Sequence, residues 1–77
     1  MKQIQWTPVV SSNLAAVSYD AQAQALAVKF KSSPTAYYVY ADVPPEKNEE
    51  FMSADSQGSF LAREIKPNHE FTKIEEK

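Results

Sequence analysis

Few side chains in this sequence are equipped for chemistry, and most of those stand alone. His69 is the only histidine, and the chain has no cysteine. A histidine can act as a general base near neutral pH. Here it follows Pro67-Asn68, in what reads as an exposed tail, so it is expected to be an inert surface residue. His69 and Glu70 together fall short of the ligand set that a zinc site needs. No Ser-His-Asp set and no carboxylate pair at catalytic spacing occurs. The expectation is a chain that is not an enzyme and holds no metal or cofactor.

Binding chemistry is better represented. Tyr38 and Tyr40 are two residues apart, so in a strand they share a face. Paired aromatics on a sheet can stack nucleic-acid bases. Lys29, Arg63 and Lys66 are the cations available to accompany them. The ordinary alternative is a half-core tyrosine pair covered by helices, each hydroxyl finding one partner. Asp42 and the Glu46, Glu49, Glu50 cluster lie close by in sequence and weigh against a phosphate-binding face. Ser56-x-Gly58 could cradle an anion at a helix start, but a loop without lysine fits helix capping better. Gly58 is the only glycine, which marks it as a site for a backbone conformation that other residues avoid. Asp20 is expected to make an Asx turn. Ser11, Ser12 and Asn13 are expected to make a turn before the first strand.

Composition limits the rest. Seventy-seven residues make one domain, and a chain this short buries only about 60% of its unfolded surface. With no disulfide available, packing must supply the stability. Apolar residues at 43% suffice for a core. A net charge of −2, from 8 basic and 10 acidic residues, disfavours non-specific nucleic-acid binding. The lack of cysteine fits a reducing cytosol. Neither a secretory leader nor a membrane-spanning run is read in the sequence.

The elements that position these residues follow from periodicity. Residues 1–9 read as a lead-in, with Pro8 preventing regular strand pairing, and the domain proper spans about 10–74. Residues 14–20 alternate so that Ala15, Val17 and Tyr19 share a face. Residues 25–31 place Leu26, Val28 and Phe30 opposite Lys29 and Lys31. Residues 36–42 form a third strand that is apolar on both faces, with Tyr37 and Val39 against Tyr38 and Tyr40. Turns at 20–24 and 32–35 join these strands, the second with Pro34 pre-setting φ. Pro44-Pro45 with Glu46 opens a helix to about Ala54, anchored by Phe51. A second helix, roughly 59–66, capped by Asp55, Ser56 or Ser59, carries Phe60, Leu61 and Ile65 and is stopped by Pro67. The tail adds at most an irregular edge through Phe71 and Ile74. The expected fold is α+β: a three-stranded antiparallel β-meander followed by two short C-terminal helices.

The order Ser12-Asn13-Leu14, Val17 to Asp20, Leu26 to Phe30, Tyr38 to Pro44, Ala54 to Phe60 and Ile65-Lys66 resembles the KTSC domain family. That family occurs at the C-terminus of some lysyl-tRNA synthetases and as small free-standing proteins of bacteria and their phages. The resemblance covers about residues 10–74. Its most specific parts are Tyr38-x-Tyr40 and the Ser56, Gly58, Phe60 element. Five positions depart from the family pattern. Ser18 replaces a glycine, Ser33-Pro34 replaces a Gly- or Asn-containing hairpin, Leu61 replaces an aromatic, and Ala62 replaces an asparagine. A ligand contact made by that asparagine in relatives would be lost here. The resemblance brings no established activity. The synthetase association implies RNA binding only by analogy.

These readings converge on a small non-catalytic interaction module that binds protein or associates with itself as a monomer or weak homo-oligomer. The alternative is an RNA or single-strand binder using Tyr38 and Tyr40. A third reading, an accessory or phage protein acting on a host factor, rests on the family's distribution alone.

Overall fold

Alternation in the first half of the chain produces a sheet, but a larger one than the three-stranded meander expected. In a computed structural model describing residues 5–33 and 35–75, the sheet has five strands in the order β1-β2-β3-β4-β5. The strands are β1 (Thr7–Pro8), β2 (Leu14–Asp20), β3 (Ala25–Phe30), β4 (Ala36–Tyr40) and β5 (Phe71–Glu75), and every neighbouring pair is antiparallel. Helix α1 (Pro45–Ser53) and a second helix, α2, sit between β4 and β5 in the chain. The helices are therefore internal to the meander rather than C-terminal to it.

Both added strands lie at the edges. Pro8 pairs opposite Ala16, which an outermost strand allows because the missing N–H can face away from the sheet. Residues 71–75, expected as an irregular tail, pair with β4 from Ala36↔Glu75 through Tyr40↔Phe71. Pro34 itself lies outside the described residues; beside it, Ser33 N donates to Phe30 O and Ala36 N to Ser33 O, each at 3.2 Å.

Within β2 the register shifts between Leu14 and Ala16. This bulge takes Ala15 out of the alternation, so Leu14 joins Val17 and Tyr19 on the inward face. The turn to β3 follows the expected Asx geometry: Asp20 Oδ1 accepts from Gln22 N at 3.1 Å and Ala23 N at 3.3 Å. Left-handed backbone falls on Gln24 (φ 52°) and Asp42 (φ 58°), each at a cost of about 1–2 kcal/mol. The two sites support one another. Gln24 O accepts from Val43 N at 2.8 Å, and the Tyr19 hydroxyl donates to Val43 O at 2.5 Å. The exit of β4 is thereby tied to the β2–β3 turn.

α1 begins at its prolines as expected and turns Phe51 into the core. α2 starts with an α-helical turn, Gln57–Phe60, and continues as a π-wound segment, Leu61–Ile65, closed by Lys66 N to Leu61 O at 2.8 Å. Ser56 is the cap, accepting from Ser59 N at 3.3 Å. Gly58 is a correction to the sequence reading. Its φ is not positive, and a Cβ there would meet Asn13 Nδ2 and Ser11 Oγ at 3.6 Å, ordinary contact. Its place is a helix turn laid against the loop before β2, not a strained turn.

The core is Leu14, Val17, Leu26, Val28, Tyr40, Val43, Phe51, Leu61 and Ile65, closed between one face of the sheet and the helices. The other face is covered in part by the lead-in. Trp6 meets Tyr37 edge-on at 5.3 Å, and Lys29 Nζ lies 4.7 Å from the Trp6 ring centre.

Burial sets the alkaline behaviour. The Tyr40 phenol is pushed above its ordinary value by burial and then by Tyr38, and Tyr19 is raised by burial, then by Glu46 and Asp20. Between the unfolded value of about 10 and the raised folded values, the unfolded chain binds fewer protons than the native one. Stability from these groups is thus complete below about pH 10 and is lost as pH rises above it. Urea midpoints measured from pH 9 upward should fall, and Tyr40→Phe should fall less steeply than wild type. Parallel slopes would show that Tyr40 titrates as an exposed phenol.

A candidate aromatic groove on the inner face of the sheet

Cross-strand register assigns the inner face residue by residue. Val17, Val28, Tyr38 and Lys73 form one row, and Tyr19, Leu26, Tyr40 and Phe71 the next. Val17, Leu26, Val28 and Tyr40 of these rows are buried in the core, whereas Tyr38 is only half-buried and Phe71 and Lys73 are exposed. What remains open is a groove of about 420 Å³ lined by Phe30, Ser32, Ser33, Tyr38, Tyr40, Lys66 and Phe71.

Its walls are a chain of ring contacts. Phe30 meets Tyr38 at 5.5 Å and 84°, Tyr38 meets Phe71 at 5.4 Å, and Phe71 meets Tyr40 at 5.8 Å. Edge-to-face and tilted packing of this kind holds rings in defined orientations. Two ammonium groups border the row: Lys66 Nζ lies 5.4 Å from the Phe30 ring centre and Lys73 Nζ 5.9 Å from that of Tyr38. Both are within cation–π range. Phe71 is 55% exposed. A large ring so open to water, beside others, is the kind of surface that binding covers.

The two tyrosines take different roles although they share a face. Tyr40 is 1% exposed and forms the floor, so it has no ring face left for a base. Tyr38 is half-buried and lines the wall. The three candidate cations are dispersed. Lys66 borders the groove, and Lys29 lies on the opposite sheet face over Trp6. Arg63 lies on the exposed side of α2, its Nε 3.3 Å from Glu64 Oε2. Asp20, Ser56 and Phe60 serve the turn, the cap and the packing against Phe51 at 6.1 Å.

Sequence reasoning missed Phe71 and Lys73. The available signal was the short alternation Phe71-Thr72-Lys73-Ile74 after a proline stop, which is a strand pattern. It also misplaced His69, which is half-buried rather than tail-exposed. His69 Nδ1 lies 2.9 Å from Ala41 O and must be the donor, since a carbonyl only accepts. With Ala41 N to Glu70 O at 2.9 Å, it pins the start of β5 to the end of β4. Nε2 is buried with no partner among the described residues. Among those residues no group of three or more His, Asp or Glu side chains could hold a metal ion. None of their helices is long and apolar enough to cross a membrane.

This layout can be set beside known proteins. The profile of the KTSC domain matches residues 10–71. The chain belongs to the KTSC domain family. The KTSC domain seen here superposes on the crystal structure of a KTSC domain protein from Yersinia pestis with a TM-score of 0.85. The two are 33% identical, over 94% of this chain and 99% of that one. A protein of Tsukamurella paurometabola is 40% identical over 60 residues, 78% of this chain and 87% of its own length. Another, from Stutzerimonas stutzeri, is 41% identical over 59 residues, 77% of this chain and 80% of its own. The KTSC match ends at Phe71, so most of β5, including Lys73, lies beyond it.

Proposed function

We propose that this KTSC domain is a non-catalytic interaction module whose recognition surface is the groove between β4, β5 and the end of α2. One observation carries the reading. A row of rings, open at Phe71, is bordered by Lys66 and Lys73. Rings accept an apolar or aromatic anchor, and the two ammonium groups favour negative charge beside it. The partner is an acidic protein segment carrying an apolar side chain. The apolar outer face of β4, which the sequence offered for this role, serves it less well because Trp6 packs on Tyr37.

A nucleic-acid reading draws on the same two lysines, since a base on Tyr38 with phosphates at Lys66 and Lys73 uses the same chemistry. It is the weaker reading. Tyr40 cannot stack, and Lys29 and Arg63, the other cations a phosphate backbone would use, lie away from the groove.

Fluorescence anisotropy at low salt separates the two. The probes are a labelled peptide alternating glutamate and phenylalanine, and a labelled short single-stranded RNA. The peptide should bind, and Tyr38→Ala or Lys66→Glu should weaken it about tenfold, equivalent to about 1.4 kcal/mol. Lys29→Ala and Arg63→Ala should leave it unchanged. Binding of RNA alone, with the same dependence on Tyr38, would transfer the groove to nucleic acid. If neither probe binds at tens of micromolar protein, the groove is not the recognition surface.

A further inference from the structure

We infer that β5 is the interface of a symmetric homodimer, in which the β5 strands of two copies pair antiparallel about Ile74. The inference rests on the free edge of the sheet and is independent of what the groove binds.

The register defines which backbone groups are free. Ala41 N donates to Glu70 O, and alternation along the uninterrupted β4–β5 ladder then makes Val39–Thr72 and Tyr37–Ile74 the hydrogen-bonded pairs. The N–H and C=O groups of Phe71, Lys73 and Glu75 therefore point away from β4. All five residues of β5 are exposed, and among the described residues no other strand of the sheet lies beyond it. A row of free donors and acceptors of this kind is a template for another strand.

The side chains select a second copy as the occupant. A lysine on an edge strand ordinarily discourages pairing. Centred on Ile74, however, antiparallel pairing of β5 with itself sets each Lys73 opposite the other copy's Glu75. The residues that would exchange hydrogen bonds in that register, Lys73 and Glu75, are those with outward backbone groups. Within one chain Lys73 Nζ is already 3.9 Å from Glu75 Oε1. The paired strands therefore form a four-charge cluster in which every neighbour has the opposite sign. Ile74, 37% exposed on the other face, meets its own copy. Centring on Lys73 instead would oppose two lysines. At the far side of the sheet, β1 is only two residues long and ends in Pro8. With one usable edge among the described residues, the association closes as a dimer instead of growing into a fibre. The two-fold axis is perpendicular to the sheet, so both grooves open on the same side of one continuous sheet.

A cysteine-free chain allows a test of register. Ile74 and its mate form a non-hydrogen-bonded pair, whose Cα separation suits a disulfide. Thr72 lies on the same face, but in this register its mate is too distant to bridge. Under mild oxidation Ile74→Cys should form a disulfide-linked dimer at least tenfold faster than Thr72→Cys. In sedimentation at concentrations up to the millimolar range, wild type should dimerise and Lys73→Glu should be monomeric. Lys73→Glu combined with Glu75→Lys should dimerise again, and Tyr38→Ala should leave association unchanged. Circular dichroism and melting curves confirm that each variant is folded. Equal oxidation rates for the two cysteine variants, a monomeric wild type at every concentration, or no rescue by the charge swap would overturn the proposal.

Discussion

Phe51→Ala is expected to remove a large part of the stability of this domain. Phe51 is fully buried, and it is the only buried residue of α1. It packs on Phe60 at 6.1 Å and belongs to the core formed with Leu14, Leu26, Tyr40, Leu61 and Ile65. Truncating a buried phenylalanine costs about 3–5 kcal/mol, the lost transfer energy plus the cavity left behind. A domain of this length has a total of roughly 4–12 kcal/mol, and this one has no disulfide to limit its unfolded state. The adjacent Met52, 41% exposed, is the control: Met52→Ala should stay within about 0.5 kcal/mol. Urea denaturation followed by circular dichroism measures both. Similar midpoints for the two variants would mean that α1 does not close the core.

The second large effect is expected from proline placed in β5. Thr72→Pro removes the N–H that pairs with Val39, leaves a carbonyl of β4 without its donor, and frees the end of the chain from the sheet. An unsatisfied group costs about 1–3 kcal/mol, and about 1 kcal/mol shifts the melting temperature of a domain this size by roughly 4–8 °C. A fall on the order of 10 °C is therefore expected. At concentrations where the chain is monomeric, Lys73→Pro should be much milder, because the Lys73 N–H points away from β4 and an edge strand tolerates proline there. Thermal melts of the two variants read the difference. Equal losses would contradict the β4–β5 register. The same pair bears on the groove, since Phe71 leaves Tyr38 and Tyr40 when β5 detaches. Thr72→Pro should therefore also abolish peptide binding, while Lys73→Pro, which keeps β5 in place, should weaken it only by the loss of one bordering ammonium group.

What could be read from residue order was what local physics controls. The Leu26, Val28, Phe30 alternation faced inward because a strand's side chains alternate whatever lies around them. Asp20 and Ser56 made their turn and cap because those bonds reach only two or three residues along the chain. Pro45 and Pro67 bounded the helical region because a proline ring acts on its own backbone. The family resemblance followed from that same order of elements.

Tertiary structure decided the rest, and each case has a non-local cause. β5 is a strand because β4 offers it a ladder, and β4 lies on the far side of both helices in the chain. A five-residue run with only modest alternation does not announce such a partner. Ala15 left the inward face because a bulge, set by pairing with β3, shifted the register. Gly58 proved to be a packing position because Ser11 and Asn13 come up against it. Tyr38 and Tyr40 share a face by parity alone, yet one is wall and the other floor. That difference depends on how far the helices reach across the sheet, which no spacing within β4 encodes. The candidate site needed all of these, since its rings come from β3, β4 and β5 and its bordering lysines from α2's end and β5. The sequence determined the parts and their local conformations. Long-range pairing and coverage brought Phe30, Tyr38, Lys66, Phe71 and Lys73 together.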